Sequence, residues 1–354
     1  MFRHISEFTP LALAERLSAP LPETRKLLAA WHRQGALPKA VQGVTRVTMD
    51  AARTLPVAPE LEVVAREASQ IDPFVKYAFR THDGHAVEAV RIPLEKPCRF
   101  VVCVSSQVGC ALTCTFCATG RMGLKRNLET WEIIAQVRHV RADLPPDSRI
   151  HGVVFQGMGE PLANYDRVLR ALQVLSDPCG LSVDARNITV TTSGLATGIF
   201  RLMHDAPNVR LGWSIGSAIT ETRKSLMPIT KAHSIADVFE SVVAHAMHTR
   251  LAPLFAYTPL AGVNDSEEHA RALGDLVRAF QERTGQRPRV SLIPYNSIGA
   301  SDPYARQSDE AEDMFRGHLR DHAVYTKKRY SGGGDVAAAC GQLAGAAAVA
   351  MRDS

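Results

Sequence analysis

The sequence predicts an α/β protein: a partial barrel of six strand–helix units, (β/α)6, behind a small N-terminal module of helices and one β-hairpin. Three observations carry this. Six short apolar segments alternate with amphipathic ones from about residue 99 onwards, the signature of parallel βα units. Two runs of strand-forming residues flank His82-Asp83-Gly84, where Asp-Gly supplies the positive φ angles of a tight turn. Three cysteines follow the first strand candidate, at the barrel end where chemistry gathers. The domains expected are an accessory module, 1–95, and the barrel with its C-terminal segment, 96–354.

In chain order, residues 1 to about 70 read as helical. Leu11–Leu17 and Leu21–Gln34 carry apolar residues at helical spacing, including Leu27, Leu28 and Trp31, with Pro20 and Pro22 marking a break. The hairpin strands are 74–79 and 85–92, and Glu88 sits on the second among apolar neighbours. Barrel strands are predicted at 100–107, 152–156, 187–192, 210–215, 253–258 and 289–294. Helices fall between them, notably at 129–142, 163–176, 234–248 and 266–282.

The 354 residues suffice for one large and one smaller domain. Apolar content of 45% and charged content of 22% are ordinary for a globular protein. No apolar run reaches the ~18 residues of a membrane span, and the N-terminus lacks a signal-peptide layout. Seven cysteines, clustered and odd in number, do not form a secreted disulfide framework. A cytoplasmic protein without a membrane partner is expected. The net charge of +5 permits nucleic-acid binding without requiring it. Two basic groups, 121–126 and Lys327-Lys328-Arg329, read first as solvated surface and second as RNA contacts.

The chemistry centres on Cys110, Cys114 and Cys117, spaced C-x3-C-x2-C. Three thiolates hold three irons of a 4Fe–4S cluster and leave the fourth iron open to a small chelating molecule. A structural zinc site would need a fourth ligand. The spacing resembles that of radical S-adenosylmethionine (SAM) enzymes, where SAM chelates the open iron and is cleaved to a 5′-deoxyadenosyl radical. After the second strand, Gly159 and Glu160 fit a loop that holds the methionine amine. Thr191, then Ser214, Ile215 and Gly216, and finally Asn296 stand at later strand ends, suiting the ribose and carboxylate of SAM. Cys103 and Cys340, taken alone, read as small core residues.

Longer motifs are more specific. Cys103 to Cys110, the cysteine triad, Gly157-Met158-Gly159-Glu160-Pro161-Leu162 and Leu260 to Asp265 resemble the RlmN/Cfr family of radical-SAM rRNA adenine methyltransferases. So do Leu292-Ile293-Pro294-Tyr295-Asn296 and Ala338 to Gly345. The resemblance implies two SAM molecules per turnover, an external one-electron donor such as flavodoxin or ferredoxin, and an RNA partner: 23S rRNA and, in some members, tRNA. It also implies that Cys340 takes a methyl group from SAM and that the radical abstracts hydrogen from that methyl. The carbon so formed adds to an adenine. Glu88 would remove the ring proton, and Cys103 would close a disulfide with Cys340 to release the product. An apolar strand around Glu88 would raise its pKa.

The sequence departs from the family at several places. Ser214-Ile215-Gly216 stands for Ser-Leu-His, Thr191 for a common Ser, and Gly334 to Cys340 lacks two acidic residues. Ala256 and Phe116-Cys117-Ala118-Thr119-Gly120 lean towards Cfr, whereas Gly159-Glu160-Pro161-Leu162 leans towards RlmN. The expected product is C2-methyladenine. C8 methylation, or a paralogue modifying a small molecule or peptide, stands as the alternative.

Overall fold

The computed structural model describes residues 4–299, 302–328 and 332–343. The N-terminal helices are α1 (Pro10–Leu17), α2 (Leu21–Gln34) and α3 (Arg46–Arg53). Thr9 caps α1, and Pro22 lies in the first turn of α2, where a missing N–H is harmless. Gly35 ends α2 at φ 76°. α3 escapes the sequence reading because only Thr48, Met49 and Ala52 are buried on it. Its start is fixed by Glu23, whose carboxylate accepts from the Thr45 amide and hydroxyl. Phe8, Leu13, Leu27, Leu28, Trp31 and Met49 form a core of their own.

Three antiparallel strands follow: β1 (Glu62–Ala68), β2 (Val75–Arg80) and β3 (Ala86–Pro93). β1 lies within the region read as helical. Its charged, mostly exposed residues and a bulge between Val63 and Ala65 are those of an edge strand, which hides the period-two signal. The β2–β3 connection is a five-residue loop, not a two-residue turn, and only Gly84 has positive φ. Thr81 organises it: its hydroxyl donates to Asp83 and accepts from the His85 amide.

The parallel strands are β4 (Arg99–Cys103), β7 (Arg149–Phe155), β8 (Ile188–Thr192), β9 (Arg210–Ser214), β10 (Leu254–Tyr257) and β11 (Arg289–Leu292). All six expected strands are present, in the expected order. A short β12 (Thr326–Lys328) adds a seventh parallel strand, and the open sheet runs β1-β2-β3-β4-β7-β8-β9-β10-β11-β12. It is a partial barrel. The sheet continues from β3 into β4 through antiparallel pairing, so hydrogen bonds cross the 95/96 position.

The strand expected over 100–107 is broken after Cys103. The Ser105 amide donates to the Gln136 side chain, its hydroxyl to the Glu88 carbonyl, and the Ser106 amide to Met158. The chain then turns into β5 (Gln107–Gly109), which pairs with β6 (Leu124–Asn127) as a separate ribbon. Between these two strands lies the cysteine loop, with one helical turn, α4 (Ala118–Arg121).

The barrel helices are α5 (Thr130–Ala142), α6 (Tyr165–Ser176), α7 (Ala196–Asp205), α8 (Thr220–Leu226), α9 (Ile235–Thr249), α10 (Glu267–Thr284) and α11 (Asp309–Asp321). Val102, Val153, Val190, Leu211 and Phe255 of the strands share one core with Ile133, Val137, Leu172, Ile199, Val242 and Phe280 of these helices. That core also takes in Tyr77, Phe79 and Val87 of the hairpin. Among the described residues no helix is long and apolar enough to cross a membrane.

Candidate active site

The C-terminal ends of the parallel strands surround a cavity. Cys110, Cys114, Cys117, Gly159, Glu160, Thr191, Ser214, Gly216 and Cys340 all line it. The β5–β6 ribbon frames the thiols. Gly109 has φ +75°, and a Cβ there would collide with the Gly123 carbonyl, so only glycine permits this close crossing. The Cys110 amide donates to Gly123, and the Thr115 amide to Leu226. The Thr115 hydroxyl pairs with the Tyr304 hydroxyl at 2.6 Å. Arg121 donates from two nitrogens to the Thr115 carbonyl. Arg126 bridges the carboxylates of Asp83 and Glu132. The two arginines of the first basic group are therefore internal ties. Of the second group, Lys327 stands 3.5 Å from Glu95, both side chains being well exposed, and Arg329 lies outside the described residues.

Enclosure in the protein raises all three thiols, with Cys110 pushed up to about 11; the neighbouring Glu160 and Cys117 charges add to this effect. Cys114 is raised by burial first and by the neighbouring thiols second, and Cys117 by burial against the pull of hydrogen bonds from Gly120 and Thr119. Protonated without metal, such thiols lose their protons on binding iron. Among the described residues no three His, Cys, Asp or Glu converge on a point where one ion would sit.

Glu160 is buried, and burial pushes its pKa up to about 7 against the pull of the Ser193 and Leu162 amides. Those amides donate to separate carboxylate oxygens at 2.9 and 3.1 Å. Its own amide donates to Gln107, an approach that Gly159 at φ +94° makes possible. A positively charged amine would be well matched to this carboxylate. Thr191 Oγ1 is buried with no protein partner and faces the same cavity. An orphaned hydroxyl beside a buried carboxylate and three thiols fits SAM bound over a cluster.

Gly216 stands at φ +70°, and a Cβ there would press on the Met227 sulfur. Met227 also lines the cavity, occupying space that a side chain at 216 would otherwise use. The Gly216 carbonyl accepts from Asn264, whose Oδ1 accepts from the Leu260 amide; the 260–265 motif is thus a brace. Arg223, fully buried, ties the Ile215 and Ser193 carbonyls to the Thr230 hydroxyl. Two residues expected at SAM are not among those lining this cavity. The Ile215 side chain belongs to the core, and the Asn296 amide donates to the carbonyls of Pro294 and Cys340. Thr258 and Met227 line the cavity without having been singled out, and Tyr295 of the 292–296 motif and Ser193 line it as well. Ser193 follows the β8 strand end and was legible there; Met227 comes from a helix terminus with no pattern to mark it.

Cys340 also borders a second, smaller cavity, with Cys103, Cys117, Phe74, Val90, Ile92 and Gln156. Its segment is fastened from both sides. The Ala118 amide donates to Gly341, and the Thr119 hydroxyl to Leu343. Asp72 accepts from the Gly333 amide, and Asp335 from the Gln70 amide, both at 2.8 Å. Ala344 and Gly345 of the motif lie outside the described residues. Glu88 is buried on β3, on the face shared with Val90 and Ile92 by strand alternation. Its surroundings are not purely apolar: the buried ammonium of Lys76 lies 3.9 Å from its carboxylate. The sequence reading missed Lys76, although hairpin register makes it a diagonal neighbour of Glu88.

The radical SAM superfamily model matches residues 104–273. A probable RNA methyltransferase of Sorangium cellulosum is 50% identical over 97% of this chain and 92% of its own length. The dual-specificity RNA methyltransferase RlmN of Syntrophobacter fumaroxidans is 40% identical, with 80% of each chain covered. The crystal structure of a radical SAM methyltransferase from Sphaerobacter thermophilus superposes with a TM-score of 0.84 at 34% identity, covering 97% of this chain and 100% of that one. Fold and thiol site together define a radical SAM enzyme, whose class carries a 4Fe–4S cluster and uses SAM. Within that class, the chain belongs to the RlmN/Cfr family of methyltransferases.

Proposed function

We propose that this chain methylates C2 of an adenine in 23S rRNA, with tRNA as a second substrate, through a methyl group carried on Cys340. One observation carries the reading: Cys340 borders both the thiol-lined cavity and the small cavity containing Cys103. A sulfur placed between them can accept a methyl group on one side and present it to a base on the other. Cys110, Cys114 and Cys117 would hold the cluster, and Glu160, Thr191, Ser214 and the Gly159 and Gly216 backbones would hold SAM. The bound cluster and SAM would supply the carbon radical, with flavodoxin or ferredoxin as the external electron source and two SAM consumed per turnover.

This chain's own residues would do the rest. Cys340 attacks the SAM methyl group as its thiol proton is lost; the sulfonium–methyl bond breaks with its pair on the departing sulfur, and S-adenosylhomocysteine leaves. The activated carbon on Cys340 joins the adenine ring, giving a protein–RNA crosslink. Glu88 takes the ring-carbon proton and the C–H electron pair returns to the ring, while the one surplus electron of the adduct would leave to the bound cluster or to the external one-electron carrier. Cys103 then attacks the Cys340 sulfur; the sulfur–carbon bond breaks with its pair on carbon, which takes a proton and becomes the methyl group. Residues 1–95 serve in this reading as the RNA-directed module, and 96–354 as the catalytic one.

Nucleoside mass spectrometry tests it. Anaerobically reconstituted protein, SAM with a deuterated methyl group and unmodified RNA should yield labelled 2-methyladenosine. Labelled 8-methyladenosine would move the assignment to C8, the direction in which Ala256 on the cavity wall leans. SAM cleavage without any labelled nucleoside would exclude RNA of this kind as substrate.

A further inference from the structure

Lys76 is an ammonium almost wholly withdrawn from water, with 1% of its side chain exposed. Burying such a charge is costly, and a buried ion pair is a weak source of stability. Its placement is specific. Glu67, Lys76, Val90 and Cys103 are successive cross-strand partners on β1, β2, β3 and β4. Glu88 stands two residues before Val90, on the same face. The row thus runs from a surface carboxylate to the cavity shared by Cys103 and Cys340. Lys76 Nζ lies 2.9 Å from Glu67, whose side chain is 40% exposed, and 3.9 Å from Glu88, which is 2% exposed.

Resting on the methyl-carrier reading above, we propose that Lys76 is the positioning residue for the proton-accepting Glu88, with Glu67 as its counter-ion. An opposite charge at this range favours the ionised carboxylate inside the protein, so Glu88 is ready to accept a proton. The closer contact belongs to Glu67. Lys76 therefore orients Glu88 without holding it in a tight pair that would blunt its basicity. Charge balance points the same way. With all three groups ionised the row carries one negative charge; once the ring proton has moved to Glu88, Lys76 and Glu67 remain as a balanced pair 2.9 Å apart. The arrangement is preformed for the state that follows proton removal.

The test follows the protein–RNA adduct on denaturing gels under single turnover, with reconstituted enzyme and RNA. Cys103→Ala should trap the adduct. With Cys103 intact, Lys76→Met should let the adduct form and slow its decay at least tenfold, as Glu88→Gln does. Lys76→Arg should restore most of the rate. The double variant Lys76→Met/Glu88→Gln should be no slower than Glu88→Gln alone, because the two act as one unit. Glu67→Gln, a change at a partly exposed site, should slow decay as the ammonium turns to Glu88. In cluster-free protein, the urea midpoints of Lys76→Met and Glu88→Gln should combine less than additively. Adduct decay at the wild-type rate in both Lys76→Met and Glu67→Gln, or multiplicative slowing in the double variant, would overturn the inference alone. No adduct from Cys103→Ala would overturn the methyl-carrier reading and the inference with it.

Discussion

Glu160 shows how a single side chain can be tuned against the stability of its own fold. Burial pushes its pKa up to about 7, while the amides of Ser193 and Leu162 pull the other way. A carboxyl group raised in the folded state contributes most below its unfolded pKa, and that contribution is lost as pH rises through the folded value. From the unfolded value of 4.5 up to about 7, the loss is on the order of 3 kcal/mol at about 1.4 kcal/mol per unit. Urea midpoints of cluster-free protein from pH 5 to 8 should therefore fall in the wild type relative to Glu160→Gln. A ligand amine should reverse the fall, since a cation beside the carboxylate favours its charged form. Parallel pH profiles for the two proteins would show that Glu160 is already ionised when empty. The place of this glutamate on the wall of the thiol-lined cavity was legible in the Gly-x-Gly-Glu-Pro pattern. The structural tolerance of Gly216 was not, because it depends on Met227, eleven positions away and on no shared element.

At the scale of elements, the β5–β6 ribbon holds the cysteine loop, and Arg126 on β6 is its anchor. Arg126 grips Asp83 from the hairpin loop and Glu132 from α5, each through two hydrogen bonds. The Glu132 carboxylate is fully buried, so Arg126→Ala would leave it only the Glu129 amide and His82 at 3.9 Å, a loss of about 3 kcal/mol or more. Chemical denaturation should register that loss, and limited proteolysis should begin within 109–124; an unchanged midpoint would deny Arg126 this role. Strands β7 to β11 were readable because each is a short apolar run between helices, covered on both faces as parallel strands are. The ribbon was not readable. The first strand was read straight through to Gln107, and the break at Ser105-Ser106 comes from Gln136, Glu88 and Met158, which are near only in space. Lys76 was hidden for a related reason: strand patterning ranks Val75, Tyr77 and Phe79 as core and leaves the charged residue between them to solvent.

On the scale of the whole molecule, strand pairing and one apolar core run across the 95/96 position. The helical N-terminus has its own core and meets the barrel through a limited set of contacts. The Trp131 amide donates to Glu7, His4 meets the Trp131 ring edge-on, and Arg138 lies over Trp31. The hairpin is different in kind. β3 pairs with β4, and Tyr77, Phe79, Val87 and Ala89 are buried in the same cluster as Val102 and Val153. Removing residues 1–57 should therefore leave a protein that unfolds cooperatively, with a lowered midpoint from exposing the Trp131 region. Removing residues 1–95 should abolish cooperative unfolding, because β4 would become a bare edge and Val102 would lose its cover. Circular dichroism and tryptophan fluorescence in urea separate the cases, since Trp131 and Trp213 are present in both truncated chains. A cooperative transition from 96–354 alone would make the hairpin an appendage. Its loss would make the hairpin part of the catalytic fold and Glu88 a barrel residue in all but sequence position.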